Sequence, residues 1–292
     1  MKQIAIIGPT ASGKTGLAID IAYQTNSVVL SLDSLSVYKE IDIASAKPTK
    51  TERGDIVHFG IDEVYPNETF DVMKFLDCYH KACSFAKNNN QNLIIVGGTG
   101  FYLKILLEGM SVGIDSKEEM DRSIQEAYKL LVQIDPIYMQ KIEQNDKYRI
   151  EKAYLIYKHS GLSPTEFFIQ NPKKPIAPDL KIFEIMWETE ALRQRIQLRT
   201  KQMIEQGVLD EVITLEKTYT RLPNCMSSIG ILESLEYLDG KISKKELEEK
   251  ISVNTSRLAK RQRTFNRGQF NDIQTKNIIT NLNSDILKYF SI

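Results

Sequence analysis

Residues 8–15 read Gly8-Pro9-Thr10-Ala11-Ser12-Gly13-Lys14-Thr15 and follow directly on the short apolar stretch 2–7. This fits the pattern G-x-x-x-x-G-K-[ST], a loop whose backbone N–H groups cradle phosphate. The two glycines let the chain turn tightly and aim those groups inward. Lys14 adds a point charge for phosphate oxygens, and the Thr15 hydroxyl can reach a bound magnesium ion. Thr10, Ala11, Ser12, Gly13, Lys14 and Thr15 are therefore the candidate phosphate ligands. A helix starting just beyond them would add its positive end. The loop alone names neither the phosphate compound nor the reaction.

Three further groups could take part in chemistry. Asp33 directly follows a β-branched apolar run, 27–32. A carboxylate there can hold magnesium, accept a proton from a nucleophile, or cap a helix. Gly97-Gly98-Thr99-Gly100 closes another apolar run. Its glycines suggest close approach of a ligand to backbone, with Thr99 as a hydrogen-bonding group, although a purely structural turn is equally compatible. Between 254 and 269 there is no acid, while Arg257, Lys260, Arg261, Arg263 and Arg267 are all basic. On a helix, Arg257, Lys260 and Arg261 share one side and Arg263 and Arg267 form a second row. Cations this dense suit a phosphate backbone. Lys47, in a loop, and Arg149, beside Tyr148 and Lys152, are weaker candidates for the same partner, and each also reads as a solvated surface charge.

Composition sets limits on these readings. The chain has 292 residues, enough for one large domain or two linked ones. Lys plus Arg and Asp plus Glu both number 38, so a nucleic acid must be met by a local patch rather than a global field. No run of about 20 apolar residues is present, so no transmembrane span is expected. The first strand begins almost at the N-terminus, which predicts no leader and a cytoplasmic location. Cys78, Cys83 and Cys225 form no close metal-type pair and read as free thiols. His58, His80 and His159 are scattered, which argues against zinc.

The elements that must position these groups follow from hydrophobic periodicity. Strands are expected at 4–7, 27–32 and 92–96, with helices at 16–23, 70–87 and 101–107. That alternation predicts a parallel α/β sheet whose carboxyl-end loops build the site. After Gly109 the pattern turns helical, with helices at 118–132, 136–143 and 148–157 and a proline-broken stretch behind them. A returning strand at 180–187 precedes helices at 190–206, 208–217, 229–238 and 244–267. A last short strand is expected from 278. The organisation is thus a core part at 1–112, a mostly helical insertion at 113–179 and a second core part at 180–292.

Taken together, these motifs resemble the bacterial tRNA dimethylallyltransferases. The resemblance rests on residues 8–15, Asp33-Ser34 with Val37-Tyr38, Ala46-Lys47-Pro48-Thr49, Val96 to Gly100, Asn145-Asp146 with Arg149, Arg195-Ile196 with Arg199, and Lys260-Arg261-Gln262 with Thr264 and Arg267. It implies a phosphate-loop NTPase-like α/β core with a helical insertion domain and a helical C-terminal region. It also implies a monomer that moves a dimethylallyl group from dimethylallyl diphosphate to N6 of adenine 37, beside the anticodon. Asp33 matches the general base and Thr99 the residue at the diphosphate and the amine. Residues 10–15 would hold diphosphate, with Mg2+ on Thr15. Ser34, Leu35, Ser36, Lys47, Arg149, Arg257, Lys260, Arg261, Arg263 and Arg267 would meet the tRNA anticodon stem-loop. The chain departs from the family at Ser36, where glutamine is usual, at Ile231 and Leu232, at Ser227, and at Phe265-Asn266, where Trp-Phe is usual. A small-molecule or nucleotide kinase is the rival reading. It explains the first third but neither the insertion nor the basic C-terminal helix.

Overall fold

The computed structural model describes residues 1–111, 120–270, 273–276 and 279–291. In chain order the first elements are β1 (Gln3–Ile7), α1 (Lys14–Thr25), β2 (Ser27–Ser31), α2 (Lys50–Arg53), β3 (His58–Phe59), α3 (Val72–Asn88), β4 (Asn92–Gly97) and α4 (Gly100–Glu108). Four helices follow: α5 (Ile124–Ile134), α6 (Pro136–Met139), α7 (Lys147–Ser160) and α8 (Pro164–Gln170). The chain then forms β5 (Lys181–Ile185), α9 (Thr189–Glu205), α10 (Val208–Tyr219), a 3-10 turn (Asn224–Ser227), α11 (Ile231–Leu238), α12 (Lys244–Gln269), β6 (Ile273–Lys276) and α13 (Ile279–Ser291).

The strands form one parallel sheet in the order β3-β2-β4-β1-β5-β6. The central strands are near-continuous apolar runs because helices cover both of their faces. Ile4, Ile6, Ile94 and Phe183 from the sheet pack with Ile21 of α1 and Ile286 of α13. A second core joins Ile41 to Val208 and Val212 of α10, Ile231 of α11 and Leu247 and Ile251 of α12. Register pairs Ile7 with Gly97 and with Glu184, and Ser31 with Val96. The strands therefore end level, and the loops after β1, β2 and β4 leave the same edge. That edge is where ligands bind in open α/β sheets.

The chain divides into two compact units, Met1–Lys104 with Asp179–Ile292, and Ile105–Pro178. The helical unit begins at 105, earlier than the expected 113. The Leu106 carbonyl accepts hydrogen bonds from the Ile176 and Ala177 amides at 3.0 and 2.7 Å. Residues around 106 are thereby tied to the end of the insertion. The unit has its own core, in which Ala127 and Leu131 of α5 meet Ile150, Ala153 and Tyr154 of α7. Asp135 accepts bonds from the Tyr138 and Thr165 amides at 3.0 and 2.7 Å, joining α6 to α8.

The helix expected over 136–143 stops at Met139, and two further expectations need correction. The helix predicted over 118–132 begins at Ile124, where Ser123 and Glu126 form a reciprocal capping box. Its expected first residues, 118 and 119, lie outside the described residues. The tail from 279 is a helix, and the last strand is Ile273–Lys276. Leu282 and Ile286, four apart, are both fully buried, which is helix spacing rather than strand alternation. Residue 278, where the strand was expected to start, lies outside the described residues.

Candidate active site

The loop after β1 turns sharply before α1. Ala11 and Gly13 adopt left-handed conformations, with φ of 63° and 88°. For alanine that costs about 1–2 kcal/mol, so neighbouring structure must hold it there. Arg195 of α9 donates through Nε to the Ala11 carbonyl at 2.8 Å, and Trp187 donates through Nε1 to the Ser12 carbonyl at 2.9 Å. The Arg195 guanidinium lies over the Trp187 ring. From the other side, Gln262 of α12 accepts from the Thr10 amide at 2.9 Å. The Ala11 and Ser12 carbonyls and the Thr10 amide are thus engaged by neighbouring elements. The Ser12 hydroxyl is buried without a hydrogen-bond partner.

Lys14 donates to the Pro9 carbonyl at 3.3 Å. Burial pushes its pKa down to about 8, with Asp33 pulling it up and Arg199 pressing it further down. Arg199, on α9, is likewise lowered by burial and supported by Asp33. Two desolvated cations thus share one carboxylate, and the excess positive charge suits an anion. A cavity of about 50 Å3 holds Lys14, Thr15, Asp33 and Arg199 on its walls. Sequence reasoning gave Arg199 no role. Its signal was present: Arg195 and Arg199 sit one turn apart on a helix whose Leu192, Ile196 and Met203 are buried.

Asp33 resolves the alternatives of its position in part. Its Oδ1 accepts from the Leu35 and Ser36 amides at 2.8 and 3.2 Å, so it caps the turn after β2. Among the described residues, no hydrogen bond goes to Oδ2. Asp33 also lines a second cavity, of about 530 Å3, together with Thr99, Ser34 and Leu35. The two cavities share Thr10, Asp33, Ser45 and Arg199. Phe101, Ile229, Leu258 and Phe265 give the larger one apolar walls, and Arg261 stands on its lining. Ser36 is 4% exposed and faces only the smaller cavity, so the expectation that it meets a macromolecule is corrected.

The glycines around Thr99 also read differently in space. A Cβ on Gly97 would lie 2.9 Å from the Leu32 backbone, one on Gly98 would strike Gln262, and one on Gly100 would strike Phe265. The close approach they allow is to neighbouring protein, chiefly α12, rather than to a ligand. Thr99 itself remains on the cavity wall. Gln262 is part of the C-terminal motif but was given no role, because the charge of that segment pointed outward to RNA.

The family model described as IPP transferase matches residues 36–269. A tRNA dimethylallyltransferase of Aliarcobacter butzleri is 67% identical over the whole of both chains. One from Sulfurovum is 52% identical over 94% of this chain and 93% of its own. This chain belongs to the IPP transferase family. A solved tRNA isopentenylpyrophosphate transferase from Bacillus halodurans has a TM-score of 0.74 at 28% identity, covering 99% of this chain and 97% of that one. A eukaryotic dimethylallyltransferase acting on tRNA shares the fold, with a TM-score of 0.84 at 24% identity and coverage of 99% and 77%. The phosphate-loop α/β fold expected from sequence is therefore the family's own.

The remaining predicted residues divide by exposure. Arg257, Lys260, Arg261 and Arg267 are exposed on α12, and Arg263 is half-buried. Among the described residues none of the five is ion-paired with an acid. Arg257 bonds only Asn254, at 3.3 Å. On the helical unit, Arg149 is exposed and pairs with Asp146, its own helix cap, at 3.4 Å. Lys47 is corrected. Its ammonium is buried, donating to the Tyr38 carbonyl at 2.8 Å and pairing with Asp42 at 2.9 Å and Asp62 at 2.6 Å. It pins a loop and does not present charge to solvent. Lys47→Met removes a buried ammonium, but Asp42 and Asp62 are themselves solvated and Asp62 keeps Arg53 at 3.8 Å, so we expect a loss of about 1 kcal/mol in urea unfolding. An unchanged unfolding midpoint would return Lys47 to the surface.

Proposed function

We propose that this protein transfers a dimethylallyl group from dimethylallyl diphosphate to N6 of adenine 37 in the tRNA anticodon loop, as a cytoplasmic monomer. The observation that carries this reading is the meeting of two cavities at Asp33. One has the charge for a diphosphate. The other has the size and the aromatic and apolar walls for an extruded base. The family and the names of the relatives supply the reaction class.

In this reading the inward N–H groups of the phosphate loop, the Ser12 hydroxyl, Lys14 and Arg199 bind the diphosphate. N6 of the flipped adenine attacks C1 of the dimethylallyl group, and a C–N bond forms. The C1–O bond breaks, and its electron pair leaves with the diphosphate. The N6 proton passes to Asp33, whose Oδ2 is free to take it while Oδ1 holds the carboxylate in place. Thr99, at the end of the neighbouring strand, orients the amine. An exocyclic amine is a weak nucleophile, so alignment and proton removal both lower the barrier. Desolvated cations beside the leaving group stabilise its developing charge.

The residues present fit magnesium only in company with the substrate. Among the described residues no cluster of three His, Cys, Asp or Glu side chains could hold an ion by itself. Thr15 and Asp33 do line the same small cavity. Magnesium accepts one or two protein oxygens when phosphate and water complete its shell. Thr15 is its proposed ligand, and the ion when bound would neutralise charge on the departing diphosphate.

The exposed cations of α12, together with Arg149 on the helical unit, are assigned to the RNA backbone. They hold it without reading sequence. Replacing Arg257 or Lys260 by alanine should weaken binding of an anticodon stem-loop. It should also reduce the slope of log affinity against log salt by about 1 for each. A slope that does not move places those side chains off the RNA.

The reaction is tested by incubating protein, magnesium, labelled donor and unmodified tRNA. Label in tRNA is expected, and Asp33→Ala should lower the rate about 100-fold or more with RNA binding kept. ATP hydrolysis or a phosphorylated product without prenylation would sink the assignment in favour of a kinase. Lys14 sets a pH dependence. With a pKa of about 8 in the free protein, Lys14 is charged below that pH and loses its proton above it. A bound diphosphate favours the charged form, so binding takes up a proton above about pH 8. Donor affinity should be level between pH 7 and 8, then fall by up to about tenfold per pH unit. Lys14→Met should bind more weakly and lose this dependence; a wild-type profile that stays level to pH 10 would be the contrary result.

A further inference from the structure

Glu211, in the first turn of α10, lies outside both cavities, yet its carboxylate gathers three successive backbone amides of a distant loop. Oε2 accepts from Asp42 at 2.8 Å and from Ile43 at 2.7 Å, and Oε1 accepts from Ala44 at 2.9 Å. None of these amides has a backbone acceptor among the described residues. The loop they belong to has little regular structure to hold it. Ala46 adopts a left-handed φ of 46°, and the loop's far end is fixed by the buried Lys47. This same loop is a cavity wall. Ala44 and Ser45 line the larger cavity, and Ser45, Ala46 and Lys47 line the smaller one. Successive N–H groups converging on an anion make a strong, directional anchor.

We propose that Glu211 is a positioning residue for prenyl transfer. It clamps the 42–44 backbone so that the wall shared by the donor and base cavities keeps its place beside Asp33. Lys47 and Glu211 then hold the two ends of that wall, one by a buried ammonium and the other by a carboxylate. The inference rests on the proposed transfer reaction for its kinetic consequence, but the clamp itself can be read without turnover.

The experiment compares Glu211→Gln with Asp210→Asn, which removes the same charge from the adjacent residue. The Asp210 side chain is exposed and, among the described residues, makes no hydrogen bond, while its backbone carbonyl accepts from the Thr214 hydroxyl. In Glu211→Gln one acceptor oxygen becomes a donor facing amides. Hydrogen exchange at 42–44 should quicken while core amides of β1 and β4 stay protected. Affinity for inorganic pyrophosphate and kcat/KM for stem-loop prenylation should each fall about tenfold, the scale expected when a charge-assisted anchor is lost at a positioned site. RNA affinity should stay within about twofold, because the cations of α12 are untouched. Asp210→Asn should match wild type throughout. Should Glu211→Gln fail to fold, Glu211→Asp keeps the charge, withdraws it by one methylene and is read the same way. Slow exchange unchanged at 42–44, unchanged pyrophosphate affinity, or an equal loss in Asp210→Asn would each overturn the clamp. If the wild-type protein does not prenylate RNA, the reaction assignment fails, while exchange and pyrophosphate affinity still decide the clamp.

Discussion

Two half-buried cations beside a single carboxylate are the constraint on which the site depends. Lys14 and Arg199 would each be more comfortable hydrated, and burial lowers both. Asp33 offsets part of that cost, but one negative charge does not balance two positive ones. The site carries a local excess of positive charge, and the fold has to hold those groups together against it. The level ends of β1, β2 and β4 bring the phosphate loop, Asp33 and Thr99 to one edge. The helix α9 supplies Arg199 and, with Arg195 and the nearby Trp187, holds the Ala11 and Ser12 carbonyls of the loop in place.

The helix α12 serves two surfaces at once. Its inner face carries Gln262 against the phosphate loop, Phe265 against the turn after β4, and Asn266 into the core. Its outer face carries the exposed cations Arg257, Lys260 and Arg261. The three- and four-residue spacing of a helix makes this division possible, because residues 257, 260 and 261 point away from residues 262 and 266. A helix so basic repels itself in isolation, and the apolar packing of Leu247, Ile251 and Ala259 offsets that repulsion. Grip on an anion outside and support of an anion site inside therefore share one rigid element.

How much of this was legible in the sequence follows from distance along the chain. The phosphate loop, Asp33 and Thr99 each announce themselves within a few residues, because strand, turn and residue type coincide locally. The sheet was readable for the same reason. Arg199, Gln262 and Glu211 were not assigned, since each acts on a segment more than 150 residues away. Charge counting treated Lys47 as a surface group because sequence does not show Asp42 and Asp62 closing around it. The glycines at 97, 98 and 100 were equally compatible with room for a ligand and with a structural turn. Only the fold reveals that the room is taken by Leu32, Gln262 and Phe265. The tail helix was missed because a short apolar run carries no period by itself; Leu282 and Ile286 declare one only when both are seen to be buried.

The departure at Asn266 shows how a local exception is kept consistent. A buried amide costs free energy unless its hydrogen-bonding groups are met. Asn266 is 3% exposed, and its Nδ2 donates to Glu184 Oε1 at 2.8 Å. Glu184, at the end of β5, is itself buried, which raises its pKa, while Asn266, Arg263 and Arg267 act in the opposite direction. Neither residue is easily explained alone: an apolar neighbour would leave the carboxylate unmet, and an apolar strand would leave the amide unmet. Together they fasten α12 to the strand next to β1. The contact also lies close enough to Arg263 and Arg267 for their charges to favour the ionised Glu184. Arg257, Lys260 and Arg261 have no such role toward a buried acid, which makes them the cations most available to an RNA backbone.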